Sequence, residues 1–369
     1  MPIQTAADSI SNSAGSPYGF KNRIINGAMV IDQRNAGASV TATGNPYTLD
    51  RWRAVISVAA KFTVQQNAGS VTPPVGFKNY LGVTSSSAYS SGAAERFVIW
   101  QQIEGYNIAD LAWGTANAQP VTLSFWVRSS LTGTFGGSLS NQSDSRSYSF
   151  NYTISATNTW TQISVTILGD TSGTWDTGNT AGISVNFNVG SGSSYLSTAN
   201  TWASGIYYAP TGATSLVGTN GATFYVTGVQ FEKGSQATAF DYRPYGAEFA
   251  LCQRYYEKSY DYSILPGSSG NLQNGAIGLG IYTNNPAAYN RFGMVYFQTR
   301  KRAGATITLY APATGTVDRA TSGDGATDIL YCTSNQSNQI GFNIAASVGG
   351  STVTNYYTGF FAWTASAEL

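Results

Sequence analysis

The stretch from Val121 to Arg128 reads VTLSFWVR, and its reading decides the fold. Val121, Leu123, Phe125 and Val127 alternate with Thr122, Ser124, Trp126 and Arg128, the period of two that belongs to a strand with one buried face. The same period runs through Ile163, Val165 and Ile167 and through Ile183, Val185, Phe187 and Val189. Segments rich in Gly, Asn, Ser and Asp, such as 133–145 and 169–182, separate these runs, which predicts a β-sandwich with loops of variable length. The segment 223–242 reads as a last strand with Gly228 as a bulge, followed by extended chain up to Arg243 and Pro244. Within this half only 101–113 has a helical pattern, with Ile103, Tyr106 and Leu111 facing inward.

Beyond Tyr245 the pattern changes. Residues 247–258 form the best helical stripe of the chain, with Phe249, Cys252 and Tyr256 on one side. Strand patterns at 294–298, 306–310, 340–345, 352–357 and 360–364 then predict a second, smaller antiparallel sandwich. The first residues are polar, rich in Ser and Ala and without periodicity, and read as a docking arm. The expectation is an all-β protein with an N-terminal arm (1–21), a jelly-roll β-sandwich (22–245), and a short linking helix with a C-terminal antiparallel β-sandwich (246–369).

Composition excludes several functions. Only 10% of the 369 residues are charged, against roughly a quarter in an average soluble protein. The 19 basic and 18 acidic residues leave a net charge of +1, and the basic ones are scattered, so binding to nucleic acid by phosphate neutralisation has no electrostatic basis. The chain has no histidine, which removes Ser-His-Asp triads, imidazole bases and ordinary zinc sites. Two cysteines, Cys252 and Cys332, allow at most one bridge. No cofactor or metal is called for. The uncharged stretch 177–231 is interrupted too often by Ser, Thr, Asn and Gly to insert in a membrane, and the N-terminus lacks the basic and apolar regions of a secretory signal.

Several blocks of wording resemble a family of phage and prophage virion proteins. They are Asn22–Met29 (NRIINGAM), Asp32–Arg34 (DQR), Tyr47–Trp52 (YTLDRW), Val229–Gly234 (VQFEKG) with Phe240–Tyr245 (FDYRPY), Leu251–Lys258 (LCQRYYEK) and the ending Trp363–Leu369 (WTASAEL). The resemblance implies a tail-fibre or other virion-surface component located on the virion, its arm bound to other virion proteins. Trp126, Trp160 and the 224–234 segment resemble strands of carbohydrate-binding jelly rolls, which implies host-surface polysaccharide as a partner.

Sugar rings stack their C–H faces on Trp and Tyr while amides and carboxylates take their hydroxyls. The loops holding Trp175, Asp176 and Asn179, and Trp202, Tyr207 and Tyr208, carry that mixture and are the candidate glycan-binding residues. Glycoside cleavage needs two opposed carboxylates. Asp170 with Asp176, or Asp318, Asp324 and Asp328, could supply them, but all lie in turn contexts that explain an Asp without catalysis. Asp50, Arg51 and Trp52 read as a structural corner in which the charges satisfy each other. No catalytic residue is assigned. The expected function is a non-enzymatic fibre or fibre-like host-attachment protein; the alternatives are a purely architectural capsid or tail decoration protein and a glycan-cleaving tailspike. The uncharged stretches 177–231 and 329–367 also lack the charges that normally guard sheet edges, and together with the fibre resemblance they predict a homotrimer.

Overall fold

A computed structural model of the protein describes residues 21–270, 272–282, 290–322, 328, 330–347 and 356–369. Residues 1–20 of the proposed arm, Asp324 and most of the expected strand at 352–357 lie outside the described residues. The described residues form two compact units, one within 21–30 and 37–245, the other within 31–36 and 246–369.

The first unit is a sandwich of two antiparallel sheets. One has six strands in the spatial order Val40–Thr41, Phe62–Gln66, Leu81–Ser85, Thr223–Lys233, Val121–Ser129 and Thr161–Ile167. The other has seven, in the order Thr201–Ser204, Arg146–Ile154, Gly133–Ser140, Ala181–Ser191, Arg96–Glu104, Trp52–Ile56 and Tyr47–Leu49. Consecutive strands pass repeatedly from one sheet to the other, the wrapping of a jelly roll. Val121, Leu123, Phe125 and Val127 point into the core, as their alternation requires, and meet Val185, Phe187, Trp52 and Phe97 from the opposite sheet. At Gly228 the register between Thr223–Lys233 and Val121–Ser129 slips, the expected bulge, and the residue sits at a φ of 61°. A Cβ there would lie 2.6 Å from the Phe77 ring, so glycine serves both the backbone and the packing.

Three expectations need correction. The 101–113 segment is the end of the strand Arg96–Glu104 followed by the 3-10 turns Gly105–Asn107 and Ala109–Leu111. Ile103 and Leu111 are buried as expected, but from a strand and a turn, and Tyr106 is 64% exposed. The supposed loop 133–145 contains the strand Gly133–Ser140, whose glycines and serines conceal the alternation of Phe135 and Leu139. The helix is Tyr245–Gln253, and Tyr256–Lys258 is already a strand. Cys252 and Tyr256 of the expected stripe are buried, but Tyr256 gets there from the sheet.

In the second unit the long strand Tyr356–Ser366 pairs with Tyr256–Lys258, Ile277–Tyr282, Thr306–Tyr310 and Arg319–Ser322. Its core gathers Phe342, Phe361 and Trp363 with Ala305, Ala320, Ala365 and Ala367. Cys252 and Cys332 are both buried free thiols, and burial pushes the Cys332 thiol up to about 12. The Asp50 corner is buried: Arg51 donates to the Gln102 carbonyl at 2.6 Å, and Trp52 Nε1 donates to the Asn26 carbonyl at 3.1 Å.

Candidate functional site

The six residues singled out in the sequence fall in different surroundings. Trp175 and Trp202 meet Trp113 in a triangle of near-perpendicular rings, with centroids 4.7, 5.3 and 5.5 Å apart. Each indole N–H is taken by a chain carbonyl: Trp113 by Gln119, Trp175 by Ser172 and Trp202 by Leu168. Trp175 is a buried core member and Trp202 packs on that core from the edge strand. Asp176 accepts from the Gly178 N–H at 2.7 Å, closing an Asx turn, and Asn179 follows half-buried.

Asp170 is committed elsewhere. Arg146 donates to both of its oxygens at 2.7 Å, and the Ser172 N–H and hydroxyl reach the same carboxylate. Burial works to raise this carboxyl, but the Arg146 and Ser172 bonds outweigh it and hold it below the ordinary range. A general acid must keep its proton near neutral pH, and this group does the opposite. Asp328 accepts from Thr314 and Thr321, consistent with a turn role. Among the described residues no group of three or more acidic or cysteine side chains is placed to hold a metal ion.

Tyr207 and Tyr208 belong to a different feature, the outer face of the seven-stranded sheet. Because side chains alternate, residues between the core positions of each strand project away from the sandwich. In register they form one row across all seven strands: Tyr47, Arg53, Trp100, Asn186, Ser138, Ser149 and Thr201. At a strand spacing of about 4.8 Å such a row spans roughly 29 Å. A second row, one pleat along, contains Gln102, Ser184, Ser140, Ser147 and Ala203.

A strap formed by residues 195–200 and 205–210, on either side of the edge strand Thr201–Ser204, lies over the hydroxyl-rich part of this face. Tyr208 packs on Val55 and Val98, and burial pushes its hydroxyl up to about 12, with Arg96 pulling in the opposite direction. Ser149 shares a hydrogen bond with Ser197 at 2.7 Å, while Ser147 donates to the Gly205 carbonyl and accepts from the Tyr207 N–H. The strap can come this close because Gly136 has no side chain: a Cβ there would lie 2.4 Å from Pro210 Cδ. Asn186 donates to Ser138 at 3.1 Å. Asn186 Oδ1 and Ser140 Oγ are buried with no hydrogen-bond partner among the described residues.

Where the strap ends, Tyr47, Arg53, Trp100 and Gln102 are half-exposed. The structure thus brings Tyr207 and Tyr208 to a polar and aromatic sheet face, and leaves Trp175, Asp176, Asn179 and Trp202 at the rim of the core. The signal for this face was present in the polar partners of each alternation, such as Ser184, Asn186 and Asn188 between Ile183, Val185, Phe187 and Val189.

No family model matches the chain, and no curated protein matches it. Solved structures with loosely similar folds include the enzymatically active domain of tailspike protein 4 of bacteriophage CBA120, at 12% identity over 58% of this chain with a TM-score of 0.32. That match spans 21% of the tailspike chain. Others are a putative sugar binding protein of Bacteroides thetaiotaomicron, at 12% identity over 58% of this chain and 100% of its own with a TM-score of 0.35, and a family 11 carbohydrate-binding module of Clostridium thermocellum in complex with a mixed-linked tetrasaccharide, at 13% identity over 54% of this chain and 98% of its own with a TM-score of 0.27. Likeness at this level bears on neither ligand nor activity.

Proposed function

We propose that the protein is a non-enzymatic virion component, a fibre or fibre-like host-attachment protein, whose first unit binds host-surface glycan on the outer face of the seven-stranded sheet. The observation that carries the binding reading is the open end of this face, where the Tyr47 and Trp100 rings and the Arg53 guanidinium lie half-exposed beside the uncharged Gln102 amide. Sugars are bound by that combination, ring stacking together with neutral hydrogen-bonding groups. The virion reading is supported by the blocks of wording from Asn22 to Leu369 that resemble phage virion proteins. On this reading the N-terminal arm docks on other virion proteins and three copies assemble. The engagement of Asp170 with Arg146 favours binding over cleavage.

Purified protein tests the reading in two steps. Light scattering should give about three times the 39.0 kDa chain mass, a closed three-fold assembly; a monodisperse single-chain species sinks the trimer. Incubation with host polysaccharide should give retention without shortening. Shortened chains would make the protein a tailspike enzyme, and no retention would leave only an architectural role.

A further inference from the structure

We infer that the uncovered end of the row takes a sugar bearing a carboxylate, a uronic or sialic acid residue, with Arg53 as its anion-binding fork. The inference rests on the glycan-binding reading and adds the chemical class of the ligand. Arg53 projects from the strand Trp52–Ile56 between Tyr47 and Trp100, its guanidinium carbon 5.4 Å from the first ring centroid and 5.9 Å from the second. Nε is fixed by the Asn45 carbonyl at 2.9 Å. The two terminal nitrogens bond to nothing among the described residues, and Arg53 takes part in none of their ion pairs.

Some arginines of this charge-poor chain are held in ion pairs, whereas Arg128 repeats part of the Arg53 arrangement, its Nε on the Asn158 carbonyl at 2.9 Å and its guanidinium 5.4 Å from one ring, that of Tyr225. Arg23 is paired with Asp110, Arg34 with Glu368 and Arg146 with Asp170. A planar fork anchored at one nitrogen, steadied by rings and free at the other two is organised in advance for bidentate carboxylate binding. Its neighbours decide what carries that carboxylate. Trp100 offers a half-exposed ring for a sugar face, and Gln102 on the same strand offers an amide for hydroxyls.

The test uses the intact protein and three free acids, D-glucuronic, D-galacturonic and N-acetylneuraminic, each beside its carboxyl-reduced form, followed by ligand-observed NMR titration. At least one acid should bind, with its reduced form weaker by about tenfold or more, the usual worth of hydrogen bonds between charged groups. Arg53→Gln should lose the same about tenfold factor at an unchanged melting temperature, and Arg53→Lys should recover only part, since it keeps the charge and loses the fork. Equal binding of acid and reduced form, or an Arg53→Gln variant that binds as well as the parent, overturns the inference and leaves the glycan reading intact. Failure of every acid also overturns it, while retention on host polysaccharide decides separately whether glycan binding itself stands.

Discussion

The core of the first unit is built from large rings, Trp52, Phe125, Phe135, Phe150, Phe187, Phe224 and Phe231, and reaches across two sheets. In the second unit alanines and a cysteine surround a few rings, and a lysine is buried completely. The Lys301 ammonium donates to the Gln253 carbonyl at 2.7 Å, the Thr299 carbonyl at 3.0 Å and the Glu257 carboxylate, and lies 4.6 Å from the Phe297 ring. Glu257 in turn accepts from the Gln298 N–H at 2.9 Å. The units therefore depend on different physics. Apolar area accumulates and tolerates small losses, whereas a buried ion pair adds little net stability yet is expensive to break on one side only.

The largest effect should come from the apolar side. Trp52→Ala removes a fully buried indole and the bond from its N–H to Asn26, a change expected to cost about 5 kcal/mol. Of the 8 tryptophans only Trp363 belongs to the second unit, so denaturant unfolding followed by tryptophan emission reports mainly on the first. A shift in midpoint that corresponds to less than about 1 kcal/mol would mean the core had closed around the cavity, against the expectation for a packed interior.

The second unit should respond to its charges instead. Lys301→Met strands the Glu257 carboxylate in the interior and should cost about 3 kcal/mol, whereas Lys301→Met with Glu257→Leu should recover most of it. Amide hydrogen exchange at the strands Tyr256–Lys258 and Thr306–Tyr310 reads that unit separately. If the double variant is as unstable as the single one, the Glu257 bond to Gln298 matters more than the ion pair, and the contrast between the units narrows.

How much of this could be read from the sequence follows from the same contrast. Strands with large residues at alternate positions, Val121 to Val127 and Ile183 to Val189, announced both the sandwich and its core. The strand Gly133–Ser140 did not, because its small residues are selected by what lies against them, Pro210 over Gly136 and the Asn186 amide on Ser138. Trp175 and Trp202 looked like ligand residues since they sit in loop-like sequence, and only the tertiary fold reveals that Trp113 waits for both. Arg53 and Trp100 were invisible as a pair, being 47 positions apart and joined solely by strand register. The buried lysine was equally hidden, as nothing in FQTRKRAG distinguishes Lys301 from its solvated neighbours.

The smallest of the stability effects tests whether the first unit is as independent of charge as its core suggests. Its Arg146–Asp170 pair joins a strand to a loop, with the Asp side chain 2% and the Arg side chain 16% exposed. Burial opposes ionisation of Asp170, yet the bonds from Arg146 and Ser172 prevail and depress its folded pKa. A depressed carboxyl contributes stability that is present above its unfolded pKa of about 3.9 and is lost as pH falls through the folded value. Unfolding midpoints measured by tryptophan emission should therefore be flat down to about pH 4 and then decline. Asp170→Asn should cost about 2 kcal/mol at neutral pH, the usual worth of hydrogen bonds to charged groups, and should remove part of the acid decline, because the residue that titrates is gone. An Asp170→Asn variant whose midpoint falls as steeply in acid as the parent's would assign that decline to other carboxylates, and the first unit would then carry more hidden charge dependence than its apolar core implies.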